Sequence, residues 1–326
     1  MRALKKASAA SYAFHDLKPS DDDFRSDVIA GLRRRQKAIP SKFFYDERGS
    51  RLFEQISTLD EYYPTRAEIA ILRQLPENIA KLLPEHAVVV EFGTGSCVKV
   101  RLLLDALINP AAYVPIDISR EHLMEAARRI AEDYLSLRVH AICADFAGAV
   151  AVPRAVPSGP RIGFFPGSTI GNFTPPEATA LLGRIAATLG SDGLLLIGVD
   201  LKKDEQRLRA AYNDSKGVTA AFNLNLLQRI NSEIGGDFDL SRFAHLAFYN
   251  AEEGRVEMHL VSREEQTVRV DGHAFSFRAG ETIHTENAYK YAPNEFRELA
   301  SNSGFIPVST ATDPLGLFCL YCLKAA

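Results

Sequence analysis

One stretch of the chain constrains the fold more than any other: a short apolar strand that runs directly into a glycine turn. The run Val88–Phe92 is followed at once by Gly93 and Gly95. Asp117 and Asp145 then stand at the ends of the next two predicted strands. A doubly wound α/β sheet builds a nucleotide-binding crevice in this way, because its parallel strands end at one edge. The sequence therefore predicts an α/β fold with a nucleotide site at that edge.

The details of the turn favour S-adenosylmethionine (SAM) over NAD. The NAD fingerprint needs a third glycine, and Val98 occupies its position. Glu91, two residues before the first glycine, is more typical of SAM-binding folds, in which no pyrophosphate meets the turn. Asp117 is placed to hold ribose hydroxyls, and Asp145 with Phe146 suits the adenine amine and ring. The two aspartates could also cap the following helices, which is compatible with ligand binding.

Composition excludes several function classes. The net charge of −3 over 326 residues provides no basic field for nucleic acid or an anionic membrane, and no window can span a bilayer. Cys319 and Cys322 lie three apart on a predicted strand, so they point to opposite faces and are expected to be buried. We expect no metal site, and a cytoplasmic monomer that acts on a small molecule.

The organisation of the chain changes near residue 200. Between residues 88 and 199, strands and helices alternate regularly, which predicts a parallel sheet. Beyond Asp200 the pattern predicts two helices, the second at Val218–Ile234, and then antiparallel strands. After the fourth strand of the sheet comes a glycine-containing loop that ends at Asn172. By itself this loop is equally consistent with a catalytic segment and with a helix cap.

Several long motifs carry a family resemblance. They are Tyr45-Asp-Glu-Arg-Gly-Ser, Glu61-Tyr-Tyr-Pro-Thr-Arg66, Pro166-Gly-Ser-Thr-Ile-Gly-Asn172, Gly198-Val-Asp-Leu-Lys-Lys-Asp204 and Gly217-Val-Thr-Ala-Ala-Phe-Asn223. With these motifs the chain resembles the SAM-dependent L-histidine Nα-methyltransferases of ergothioneine biosynthesis, from about Asp27 to the C-terminus. The resemblance implies trimethylation of the histidine α-amine, which yields hercynine and S-adenosylhomocysteine.

The resemblance also implies two domains. A class I SAM-methyltransferase core with a Rossmann-like sheet would comprise residues 66–201 and 291–326. A second, α+β substrate-binding domain would comprise residues 14–65 and 202–290. The change of pattern after Asp200 agrees with this division.

Roles for particular residues follow from the same resemblance. SAM would be held by Tyr62, Gly93, Lys99, Asp117, Asp145 and Phe146. The amino-acid substrate would be bound by Tyr45, Tyr62, Asn172, Tyr212, Met258, Glu286 and the segment that includes Ala288. Within that set, Asn172 and Tyr212 would hold the carboxylate, Tyr45 and the Gly167 backbone would orient the amine at the catalytic position, and Met258 and Glu286 would face the imidazole.

One position departs from the family pattern. Ala288 stands where the family usually has a serine that hydrogen-bonds the imidazole. Three explanations stay open: weaker histidine binding, rescue by Asn287 or a water, or another preferred amino acid. An alternative of another class is a SAM-binding sensor without turnover. The amino-acid clamp of Tyr45, Asn172 and Tyr212 argues against that alternative.

Overall fold

The backbone is built around one large sheet, seen in a computed structural model that describes residues 12–17 and 21–326, with side chains from residue 24 onward in the second range. In this part of the chain the strands are β1 (Tyr12–Asp16), β2 (Lys37–Ala38), β3 (Val88–Phe92), β4 (Ala112–Asp117), β5 (Arg138–Cys143), β6 (Arg161–Phe165), β7 (Leu194–Asp200), β8 (Phe243–Asn250), β9 (Arg255–Ser262), β10 (Gln266–Val270), β11 (His273–Phe277), β12 (Thr282–Tyr289), β13 (Phe305–Thr312) and β14 (Phe318–Ala325). The helices are α1 (Asp21–Leu32), α2 (Glu47–Ile56), α3 (Tyr63–Arg73), α4 (Glu77–Ala80), α5 (Val98–Ala106), α6 (Arg120–Asp133), α7 (Pro175–Leu189), α8 (Glu205–Tyr212), α9 (Val218–Ile234) and α10 (Pro293–Ser301). Short 3₁₀ helices lie at Ser41–Phe44, Thr169–Asn172 and Leu240–Arg242.

The large sheet has the strand order β1-β5-β4-β3-β6-β7-β14-β13. Its first six strands run parallel, whereas β14 is antiparallel to both β7 and β13. The strand order reverses beside β3, which is where ligands bind in open α/β sheets. The predicted α/β fold with a mostly parallel central sheet is confirmed.

Both faces of this sheet are covered. Along β3, Val89 packs into one hydrophobic cluster, and Val88 and Val90 pack into another on the opposite face. The two cysteines of β14 divide in the same way, because Cys319 belongs to one cluster and Cys322 to the other. Both thiols are buried and free, as the sequence predicts.

A third hydrophobic cluster joins the N-terminal segment to the region after β7. It contains Phe24 and Phe44 from the first part of the chain and Leu226 and Leu260 from the second. A four-stranded sheet of order β2-β12-β9-β8 and the hairpin β10-β11 belong to this region. Helix α9 has the predicted bounds, whereas the strand β12 was not predicted. No helix in the described residues is long and apolar enough to cross a membrane.

Candidate active site

A cavity of about 510 Å³ opens where β3, β4, β5 and β6 end. Its volume lies in the usual range for small-molecule sites. Its wall also includes residues of the first 3₁₀ helix and of β12. The predicted site residues that line it are Tyr45, Gly93, Lys99, Asp117, Asp145, Phe146, Gly167, Asn172 and Glu286. The structure thus brings residues from distant parts of the chain into one space.

The glycine turn fixes the carboxylate of Asp117. Gly93 and Gly95 have φ angles of +83° and +48°, which suit glycine. The turn places the backbone N–H of Thr94 2.8 Å from Asp117 Oδ2, and the N–H of Ser119 donates to Oδ1 at 2.8 Å. Each carboxylate oxygen retains a lone pair for a ligand hydroxyl. Asp117 therefore supports the start of α6 and remains able to bind ribose.

Asp145 is held from two sides. Its Oδ1 accepts from the backbone N–H of Ala147 at 2.9 Å, and its Oδ2 accepts from Lys42 Nζ at 3.2 Å. Phe146 packs edge-on against Phe165, with ring centroids 5.6 Å apart. Lys42 comes from the N-terminal 3₁₀ helix and was not among the predicted site residues. A cation from the N-terminal region thus contacts the strand-end carboxylate of Asp145.

A buried glutamate connects two other predicted residues. Glu68 on α3 is fully buried, and its Oε2 accepts from Lys99 Nζ at 2.6 Å and from the Gly167 N–H at 2.9 Å. Its other oxygen, Oε1, is buried with no hydrogen-bond partner among the described residues. The Gly167 N–H is therefore already paired. The backbone group that Gly167 can offer to an amine is its carbonyl oxygen, which accepts a hydrogen bond.

Three tyrosines surround Glu286. Burial raises the pKa of Tyr45, Tyr62 and Tyr212 well above 10, and the nearby Glu286 carboxylate raises each pKa further. All three are neutral phenols at neutral pH. Burial also raises the pKa of Glu286 to about 7, although the Lys290 ammonium opposes this shift. This end of the cavity therefore has a carboxyl group that titrates near neutrality beside phenol hydroxyls.

Four predicted residues lie outside the cavity lining and are at most 8% exposed: Tyr62, Tyr212, Met258 and Ala288. Met258 pairs with Glu286 across β9 and β12, and Ala288 lies two residues further along the same face of β12. Asn287 belongs to the opposite face of the strand by register, but it lines the cavity, and its side-chain oxygen is buried with no hydrogen-bond partner among the described residues. Asn287 therefore stays a candidate to replace the missing serine.

A buried network of charged residues lies beside Tyr212 and was not predicted from the sequence. Lys290 Nζ donates to Tyr212 Oη and to Asp200 Oδ2, both at 2.9 Å, and Asp200 also accepts from the Tyr63 hydroxyl. The available signal was a lysine between Tyr289 and Tyr291 in an otherwise apolar run. A charged residue in such a run needs a buried partner.

A group of potential metal ligands lies on β9 and β12. Among the described residues, Glu257, His259 and His284 bring ligand atoms within 4.8 Å of one another. The two imidazole rings are stacked, with centroids 4.6 Å apart and an interplanar angle of 11°. Their in-plane lone pairs therefore do not converge on one ion, and Glu257 already accepts from Arg255 and Asn250. The group is a hydrogen-bonded cluster that supports the sheet.

Comparison with known proteins agrees with this geometry. The family model for SAM-dependent, histidine-specific methyltransferases matches residues 24–325. The histidine N-alpha-methyltransferase of Mycolicibacterium smegmatis is 40% identical over 317 residues, which cover 95% of this chain and 97% of that protein. The histidine N-alpha-methyltransferase of Mycobacterium tuberculosis is 40% identical over 300 residues, which cover 90% and 92%. Ergothioneine biosynthesis protein 1 of Neurospora crassa is 32% identical over 288 residues, which cover 85% of this chain and 32% of that protein.

Proposed function

Because the chain belongs to the family of SAM-dependent, histidine-specific methyltransferases, we propose that it methylates the α-amine of L-histidine three times to give hercynine. The chain is an N-methyltransferase whose methyl donor is SAM. The observation that carries the proposal is one cavity with two chemically different ends. All five of the following residues line it: Asp117 and Lys99, which we assign to SAM and call its first end, and Tyr45, Asn172 and Glu286, which we assign to the amino acid and call its second end.

The first end of the cavity fits SAM. SAM, when bound, supplies an electrophilic methyl group on a sulfonium. Asp117 would accept from ribose hydroxyls, Asp145 from the adenine amine, and Phe146 would contact the ring. Lys99 would pair with the carboxylate of SAM, and Gly93 leaves the turn open. Tyr62, which lies behind the cavity lining, would contribute an aromatic ring near the sulfonium cation.

The second end of the cavity fits the amino-acid backbone of the substrate. Asn172 lines the cavity, and its amide has no protein partner among the described residues, so it is available to a carboxylate. Tyr212 would donate to the same carboxylate. Tyr45 and the Gly167 carbonyl would accept from the α-amine and aim its lone pair. In-line methyl transfer depends chiefly on such positioning and on a neutral amine.

The imidazole would lie against Met258 and Glu286, which are paired across β9 and β12. An ionised Glu286 can accept from an imidazole N–H. Ala288, on the same face, provides no hydrogen bond in place of the usual serine. Loss of one such bond lowers affinity by about 0.5–1.5 kcal/mol. This gap favours a second candidate function, which is the same chemistry on another amino acid.

A direct assay tests the proposal. Purified protein is incubated with SAM and each of the twenty amino acids separately, and the products are identified by mass spectrometry. Trimethylated histidine is the expected product. Methylation of another amino acid with none of histidine would contradict the substrate assignment and point to the pocket near Ala288. No product from any amino acid, with SAM still bound, would support the sensor alternative.

We also propose which segments of the chain form each of two domains. Residues 66–201 and 291–326 would form the SAM-binding core, and residues 14–65 and 202–290 the substrate-binding domain, except that β1 (Tyr12–Asp16) pairs with β5 and so belongs to the core sheet. The shared hydrophobic cluster of the second set supports this division. We propose further that the protein acts as a monomer in the cytoplasm.

A further inference from the structure

Lys290 is a buried ammonium that directly follows β12. Its side chain is only 2% exposed, and its Nζ lies 2.9 Å from both Asp200 Oδ2 and Tyr212 Oη. Burial of a charged group is unfavourable unless the charge is paired and hydrogen-bonded. Asp200 meets that requirement, but it does not account for the second contact, with Tyr212. That contact needs its own explanation.

Asp200 has more than one positively charged partner. This fully buried carboxylate is shared by two lysines, Lys203 and Lys290, and it also accepts from the Tyr63 hydroxyl. One negative charge therefore faces two ammonium groups. Burial lowers the pKa of Lys203 to about 8, which leaves it largely protonated at neutral pH. The carboxyl groups of Asp200 and Glu286 both act on Tyr212, so two acidic groups and two lysines share this region. Lys290 contacts the Tyr212 hydroxyl whereas Lys203 contacts Tyr63, so the positive charge directly behind that hydroxyl is the Lys290 ammonium.

The direction of the hydrogen bond at Tyr212 is fixed by chemistry. A protonated lysine has three donors and no acceptor, so the Tyr212 oxygen must accept from Lys290. The phenol proton must then point elsewhere, and the described residues offer it no protein acceptor. Burial keeps the phenol protonated by raising its pKa well above 10. Tyr212 is therefore a prearranged donor without a protein partner.

We propose that Lys290 is a positioning residue that orients the Tyr212 hydroxyl to donate to the substrate carboxylate and supplies positive charge behind that bond. This inference rests on the proposed amino-acid substrate. It goes beyond the amino-acid clamp by explaining how a neutral tyrosine and a neutral amide can select a carboxylate. Asp200 would hold Lys290 in place.

The test compares two substrates within each enzyme preparation. L-Histidine and L-histidinamide differ in that a neutral carboxamide replaces the carboxylate. The ratio of their kcat/KM values is independent of the fraction of folded enzyme, so a partly misfolded variant still reports correctly. Relative to wild type, Lys290→Met and Tyr212→Phe should each reduce the preference for histidine about tenfold, as expected for a hydrogen bond to a charged group. The double variant should lose little more than either single variant.

Matched variants separate this role from a structural one. Lys203→Met also removes a lysine from Asp200, but Lys203 contacts Tyr63 instead of Tyr212. It should keep the wild-type ratio, and Lys290→Arg should restore much of the preference that Lys290→Met loses. An unchanged ratio in Lys290→Met would overturn the inference and leave the proposed function intact. A wild-type enzyme without any preference for the carboxylate would overturn the clamp, and the role of Lys290 with it.

Discussion

At the scale of single residues, the cavity depends on polar groups whose surroundings set their chemistry. Asp117 is held by two backbone N–H groups, which orient both of its oxygens. Glu286 lies instead among buried tyrosines, and burial raises its pKa to about 7. The same functional group therefore serves as a fixed acceptor at one end of the cavity and as a titratable group at the other.

Replacement of Glu286 by glutamine should stabilise the protein above pH 7. A carboxyl group whose pKa rises from 4.5 in the unfolded chain to about 7 in the folded chain destabilises the fold wherever it is ionised. Glu286→Gln should therefore raise the free energy of unfolding at pH 8 by about 1–3 kcal/mol. The gain should shrink as the pH falls from 7 to 4.5. Urea unfolding at pH 8 and at pH 5 measures the gain in stability and its decrease. A variant less stable than wild type at pH 8 would refute the raised pKa of Glu286.

Restoration of a hydroxyl at position 288 should strengthen histidine binding. Ala288→Ser places a donor and acceptor on the face of β12 that also carries Glu286. We expect the Kd for histidine to fall about two- to tenfold, since one hydrogen bond contributes about 0.5–1.5 kcal/mol. Calorimetry in the presence of S-adenosylhomocysteine measures this without turnover. Asn287→Ala is the companion variant, because Asn287 lines the cavity and could replace the serine; an unchanged Kd would show that it does not. No gain in Ala288→Ser would show that the imidazole lies elsewhere.

At the scale of elements, two segments must meet closely to complete the site. The 3₁₀ helix at Thr169–Asn172 packs directly on β12, and Gly171 makes this possible. A Cβ atom at Gly171 would lie 2.8 Å from the carbonyl oxygen and 3.1 Å from the backbone nitrogen of Tyr289. Asn172, the neighbour of Gly171, is thereby held opposite the strand that carries Glu286.

Gly171→Ala should therefore impair both stability and catalysis. The new methyl group meets backbone atoms, which cannot rotate away, so we expect a loss of about 1–3 kcal/mol in unfolding free energy. The kcat/KM for histidine should fall because Asn172 is displaced. Gly183→Ala in α7 is the matched control, since its Cβ meets nothing within 4 Å; it should be neutral or stabilising by up to about 1 kcal/mol. Full activity in Gly171→Ala would show that this close packing is dispensable.

At the scale of the whole molecule, one cavity draws its wall from regions that are far apart in the chain. Lys42 from the N-terminal region contacts Asp145 beside the large sheet, and Tyr63 contacts Asp200 at the end of β7. Glu286 comes from the four-stranded sheet. Ligands that fill the two ends of this cavity should therefore stabilise the same arrangement of these regions.

The two ligands should stabilise the protein cooperatively. We expect S-adenosylhomocysteine and L-histidine together to raise the melting temperature by more than the sum of their separate effects. A coupling energy of about 1–3 kcal/mol is typical and corresponds to several degrees. Thermal unfolding at fixed ligand concentrations measures this, with D-histidine as the control amino acid. Strictly additive shifts would indicate two independent sites.

Much of the fold could be predicted because the relevant signals are local. The apolar run before Gly93 and the aspartates at the strand ends predict the parallel sheet and its ligand-binding edge, and the pattern of Val218–Ile234 predicts helix α9. Strand β12 was not predicted, because a β-bulge between His284 and Glu286 interrupts the alternation of its side chains between the two faces of the sheet. A period-2 pattern predicts a strand only where the pleat is regular.

The sequence by itself determined the fold class and the meeting of Gly93, Asp117 and Asp145 at one edge of the sheet, because hydrophobic periodicity, glycine turns and strand-end carboxylates act over a few residues. Only the tertiary structure decided which charges are shared at the substrate end. Tyr212 and Lys290 lie 78 residues apart, and Tyr63 and Asp200 lie 137 apart. Whether a buried charge is balanced depends on which side chains fill the same space, and that is a property of packing that no local pattern encodes.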